Sequence, residues 1–147
     1  MQTNGGSGAK EKARIAVVGA GWWSQGWHLP LLRALPTVEL VGIVEPTFQP
    51  RSTLVADMLN TTQLSERYGC PVFDSVESLL AHSDANAPLD GVIIASPHAS
   101  HADIAMKCFN HHNDSGGITI LCEKPMTTDV NESLMLVAAA GLLKFII

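Results

Sequence analysis

Three short runs, IAVV at 15–18, VIIA at 92–95 and ITIL at 118–121, lack the polar alternation of a sheet with one wet face. Strands of this kind are buried on both sides, and that requirement constrains the fold more than any other feature of the chain. Helical patterns separate them: GWHLPLLRAL follows RIAVVG, PRSTLVADMLNTTQLSERYG follows VELVGIVE, and SVESLLAHS follows PVF. The series continues with SHADIAMKCFNHH after DGVIIAS, TTDVNESLMLVAAAG after GITILCE, and a last apolar run, LKFII. Five or six strand–helix repeats predict a parallel sheet with helices on both faces. Right-handed crossovers make this a Rossmann-type doubly wound, three-layer α/β fold in a single domain.

A chain of 147 residues is long enough for one such core. The Gly/Ser-rich start, 1–11, reads as a flexible lead-in, and 12–147 as the domain. Asp74 or Ser75 is placed to cap the third helix and Thr128 the last, whose apolar positions Val130, Leu134, Val137 and Ala138 fall at helical spacing. The chain stops at GLLKFII, where a sixth strand begins, so a fragment, a truncated gene model or a strand completed by something else is expected.

Charge and composition exclude several classes. A net charge of −5 gives no footprint for nucleic acid or an anionic membrane. No run reaches a membrane span, and the first residues lack the apolar segment of a secretory signal. Three separated cysteines, Cys70, Cys108 and Cys122, suit neither a disulfide framework nor a zinc knuckle, which favours a reducing, cytoplasmic location. The N-x-[ST] triplets at Asn60, Asn113 and Asn131 are then chance matches.

The glycine turn GAGWWS after the first strand has two of the three glycines of G-x-G-x-x-G. Gly19 permits the tight turn and Gly21 a close approach of backbone to a pyrophosphate. Ser24 replaces the third glycine, small enough for close packing and with a hydroxyl that can reach a phosphate oxygen. The N–H groups of Trp22, Trp23 and Ser24 would face the anion at a helix start. Glu45, 24 residues after Gly21 at the end of the second strand, is placed to accept the adenosine ribose hydroxyls and to repel a 2′-phosphate. NAD is favoured, while Arg51 leaves NADP open. Trp22, Trp23 and Trp27 read as packing over the turn or lining its rim, and His28 as a structural or surface histidine.

Two further strand ends carry unusual residues, Ser96-Pro97-His98-Ala99-Ser100-His101 and Cys122-Glu123-Lys124-Pro125-Met126. Both fall at carboxyl ends of strands, the side on which such sheets bind ligands. Lys124, held extended before a proline with its stem partly buried, is a candidate acid/base for a substrate hydroxyl; its alternative is an ion pair with Glu123 or Asp129. His101, Cys108 and His112 can share a helix face, but no second ligand pair has zinc-type spacing, so no metal is expected. A hydrolase triad is disfavoured because G-x-S-x-G is missing.

RIAVVGAGWWSQGWHLPLL, VELVGIVEP, DGVIIASPHASHADIAMKC and ILCEKPM, in this order and at these separations, resemble the N-terminal half of the Gfo/Idh/MocA oxidoreductases, the glucose–fructose oxidoreductase and inositol dehydrogenase relatives. The resemblance covers about 12–140, and E-K-P is its most specific part. It implies that Gly19, Gly21 and Ser24 form the pyrophosphate turn and that Glu45 binds ribose. It also implies that Ser96, Pro97, His98 and His101 form the loop under the ribose and nicotinamide side, where His98 replaces the family's more frequent Asn. Glu123, Lys124 and Pro125 match the E-K-P whose lysine lies near the nicotinamide and the reacting hydroxyl.

The implied chemistry is hydride transfer between nicotinamide and a sugar, inositol or related polyol, with homo-oligomers common. Relatives continue with a second α/β domain that supplies the substrate wall and a histidine, so the chain as given is expected to be inactive alone. A non-enzymatic NAD(P)-binding sensor or regulatory module is the alternative. A methyltransferase would also use a glycine turn and an acid, but leaves E-K-P without a role.

Overall fold

The computed structural model describes residues 12–111 and 117–140, together with the backbone of 145–146. The 1–11 lead-in, His112 and Asn113 lie outside the described residues. Six parallel strands run β1 (Ala13–Val18), β2 (Val38–Val44), β3 (Val72–Phe73), β4 (Gly91–Ile94), β5 (Thr119–Cys122) and β6 (Phe145–Ile146). Their order in the sheet is β3-β2-β1-β4-β5-β6, the doubly wound arrangement, with the order reversing between β1 and β4.

The apolar strands supply both cores because neighbouring residues point to opposite faces. Val17 of β1 and Ile43 of β2 pack with Leu29 and Leu32 of α1 (Leu29–Ala34) and Leu64 of α2 (Thr61–Tyr68). On the other face Ala16, Val18, Val44, Ile94 and Ile120 meet α3 (Val76–Asn86), α4 (His101–Asn110) and α5 (Val130–Ala140).

Three local expectations change. The second helix is shorter than its pattern suggests and starts only at Thr61. Asn60 and Gln63 form a reciprocal capping box there. Just upstream, the main chain of Met58 and Leu59 is taken by side chains: Gln49 donates to Met58 O at 2.9 Å, and Gln25 bonds both Leu59 N and Leu59 O. Helix α5 is capped by Asp129 rather than Thr128, its Oδ1 accepting from Asn131 N at 2.8 Å and Glu132 N at 3.2 Å. The stripe of Val130, Leu134 and Val137 faces outward at 69%, 64% and 60% exposure, and Leu136 alone is fully buried in α5. Ser75 caps α3 by accepting from Ser78 N, and Asp74 braces both serines.

The first helix also departs from a plain α-helix. Residues Ser24–His28 form a π-helical turn, with Leu29 N–H donating to Ser24 O, before α1 begins. Pro30 has no N–H and its ring would press on the carbonyl four residues back, so a widened turn ahead of it relieves both conflicts.

Because α5 docks through Leu136, Leu136→Ala should lower stability by about 3 kcal/mol, the cost of a core cavity, whereas Leu134→Ala should cost less than about 0.5 kcal/mol. Denaturant midpoints of the two variants measure the contrast.

Candidate functional site

Five strand ends are knit into one rim by four main-chain bonds. Glu45 N–H donates to Phe73 O, Gly19 N–H to Val44 O, Ala95 N–H to Val18 O and Glu123 N–H to Ile94 O, at 2.8–2.9 Å. The sequence-predicted residues of the glycine turn, the second strand end, the SPHASH loop and E-K-P therefore stand side by side along the carboxyl edge of the sheet.

Gly19 and Gly21 do different work. Gly19 has φ +95°, and a Cβ there would lie 2.6 Å from Ser96 Cα and N, so backbone passes backbone with no room for a side chain. A Cβ on Gly21 meets nothing within 4 Å, which leaves the main chain open to a ligand. Trp22 and Trp23 open the helix, and Gln25 N–H donates to Gly21 O at 3.0 Å. The N–H groups of that first turn have no intrahelical acceptor and suit an anion.

Ser24 is fully buried, and its Oγ donates to Gly19 O. Of its two expected roles the side chain takes the packing one: the hydroxyl closes the turn from inside and cannot also face a phosphate. Glu45 holds the same turn from outside, with Oε2 accepting Ala20 N–H at 2.9 Å and Oε1 accepting Thr47 N–H at 3.0 Å. A carboxylate has acceptor sites beyond these two. Arg51 is exposed, with no ion pair among the described residues.

The two loops beyond are braced by His101 rather than lined by it. Its ring is fully buried, with Nε2 2.9 Å from Ser96 O and Nδ1 2.9 Å from Pro125 O. Against the expectation of a ligand contact, it ties the β4 end to the E-K-P loop through main-chain carbonyls. Ser96 Oγ and Ser100 Oγ are 2.8 Å apart, while Pro97 and His98 are exposed. Cys108 is buried and its thiol is pushed up to about 12 by burial, so it is a core residue. Among the described residues no three His, Cys, Asp or Glu side chains are arranged to hold a metal ion, and no helix is long and apolar enough to cross a membrane.

Lys124 is exposed, not partly buried as its place before a proline suggested. Its ammonium makes no ion pair with Glu123, Asp129 or any other described residue. Glu123 is occupied elsewhere. Its Oε1 accepts from Trp23 Nε1 at 2.7 Å and lies 2.8 Å from His28 Nε2; its Oε2 accepts Lys124 N–H at 3.3 Å. His28 and Gln25 are site residues that sequence reasoning passed over, because their partners lie 95 and 34 residues away.

A glycine turn with one side open, a carboxylate at the end of the second strand and the reversal of strand order beside them are the features of a dinucleotide-binding Rossmann domain. The Gfo/Idh/MocA model, described as an oxidoreductase family with an NAD-binding Rossmann fold, matches residues 13–144, and the chain belongs to that family. Among curated relatives it is 27% identical over 82% of its length to glucose-6-phosphate 3-dehydrogenase of Bacillus subtilis, covering 28% of that protein. It is 29% identical over 88% of its length to inositol 2-dehydrogenase of Pseudarthrobacter chlorophenolicus, covering 33% of it. The chain thus spans about a third of the length of these relatives. Among solved structures, a point mutant of a 3-ketoreductase from Actinomadura kijaniata, in complex with TDP-benzene and NADP, superposes with a TM-score of 0.69 at 25% identity, over 89% of this chain and 36% of that one.

The Glu123 carboxyl carries a pH signature. Burial pushes it up, but the hydrogen bonds from Trp23 and His28 outweigh burial and hold it below the usual carboxylate range. A carboxyl whose pKa falls on folding contributes stability above its unfolded value, about 4.3, and loses it as pH drops through the lower folded value. Stability of the unaltered chain should therefore fall more steeply than that of Glu123→Gln below about pH 4.3, in denaturant titrations at stepped pH.

Proposed function

We propose that this domain seats NAD(H) along the rim with the pyrophosphate over Gly21, the adenosine ribose at Glu45 and the nicotinamide toward Lys124. On this reading it serves an oxidoreductase acting on a sugar, inositol or related polyol. The names of the relatives above point to that substrate class. The observation that carries the role of Lys124 is its exposed ammonium just past the end of β5, without an ion pair among the described residues and beside a carboxylate already committed to other partners.

The fit to the cofactor rests on the two glycines and Glu45. Gly21 leaves space where Gly19 leaves none, beside a helix start whose first-turn N–H groups lack intrahelical acceptors. Glu45 is pinned by Ala20 and Thr47, so a second negative charge at the ribose 2′ position would meet a carboxylate that cannot swing away. When bound, the nicotinamide accepts or returns a hydride. The task of Lys124 is to hold the substrate oxygen, its ammonium giving a proton to that oxygen in the direction of carbonyl reduction and the amine so formed taking the hydroxyl proton back in the direction of oxidation. Ser96, Pro97 and His98 shape the wall between the two ends.

The test separates folding from binding. Saturating NADH, at about a hundredfold above Kd, should raise the Tm of the chain by roughly 5–10 °C. Gly21→Ala should leave the Tm of the free chain within about 2 °C and weaken NADH about tenfold or more, while Gly19→Ala should cost the fold itself about 2 kcal/mol or more. Glu45→Ala should narrow the preference for NADH over NADPH about tenfold, measured by calorimetry. No thermal shift with millimolar NADH or NADPH would sink the cofactor assignment.

A further inference from the structure

The π-helical turn places two side chains where an α-helix could not. Residues five apart in an α-helix point about 140° away from each other around the axis. Trp23 and His28 are five apart, yet Trp23 Nε1 and His28 Nε2 reach the same oxygen, Glu123 Oε1, at 2.7 and 2.8 Å. The widened turn, with its Leu29 N–H to Ser24 O bond, brings His28 round to the side of Trp23. His28 and Glu123 side chains are 17% and 22% exposed, so the contact lies largely out of water, where a charge-assisted hydrogen bond is stronger than at the surface. The other oxygen of Glu123 holds Lys124 N–H. One carboxylate thus joins the helix directly behind the glycine turn to the strand end that carries the lysine.

We propose that His28 is a positioning residue. Through Glu123 it fixes the Lys124 strand end against the glycine turn, so that the grip on the cofactor and the placement of the lysine are set together. The π-helical turn is the device that makes this double contact possible. His28 has its Nε2 committed to Glu123 and takes no proton from substrate in this scheme. The inference rests on the NAD(P) reading above and adds to it a residue outside the glycine motif and E-K-P.

Calorimetry of NADH binding and lysine side-chain NMR of the full chain test it. His28→Ala and Glu123→Ala should each weaken NADH about tenfold, and the double variant should be no weaker than the worse single one, because both remove the same link. His28→Gln, which keeps a donor, should stay within about threefold of the unaltered chain. The Lys124 signal, identified by its loss in Lys124→Ala, should shift on adding NADH in the unaltered chain and in His28→Gln but not in His28→Ala. Should His28→Ala fail to fold, His28→Phe, which keeps the ring and removes its donor, makes the same comparison. An unaltered chain that binds no NADH overturns the cofactor reading and the coupling with it. NADH binding that survives His28→Ala, or single effects that add in the double variant, overturns the positioning role alone.

Discussion

The site depends on a close passage of main chain over main chain. At the end of β1 the backbone of Gly19 runs against Ser96 at the end of β4, closer than any side chain allows. Those are the strands between which the sheet order reverses, so the passage brings the two halves of the doubly wound fold together at one point. The surrounding hydrogen bonds secure it from several directions: Ser24 from beneath, Glu45 from the second strand, His101 from the β4 loop toward Pro125. None of these groups needs to touch a ligand to matter. They fix the height and slope of the rim at the carboxyl edge of the sheet.

A division of labour follows. Polar side chains near the rim that look like ligand contacts, Ser24, His101 and Glu123, are largely spent on the protein's own main chain and, for Glu123, on Trp23 and His28. Gly21 and Lys124, which make few contacts of their own, are the positions left open. An arrangement of this kind keeps the rim preorganised without filling it.

Fold class was legible because buried parallel strands write themselves as unbroken apolar runs, and IAVV and VIIA have no other economical reading. The glycine turn and E-K-P were legible because their chemistry is local in sequence. What escaped was set by contacts across long separations. Nothing near His28 announces Glu123, and nothing near Gln25 announces the chain at Leu59 that shortens α2. The stripe on α5 misled for another reason. Helical spacing says that four residues share a face but not which face the sheet will take, and here Leu136 is the residue it takes. The identity of Ser24 as a third-glycine substitute could be read, but the direction of its hydroxyl depends on the depth at which the helix sits.

The indole row has an optical consequence. The chain has three tryptophans, and all of them, Trp22, Trp23 and Trp27, lie on six consecutive positions at the mouth of the rim, with neighbouring ring centroids 5.2 and 5.6 Å apart. Light absorbed at the red edge of the protein spectrum is therefore collected almost wholly at the site, and the emission carries no background from elsewhere in the fold. The domain is in effect labelled at its own glycine turn, with one of the three indoles tied by hydrogen bond to the carboxylate beside the lysine.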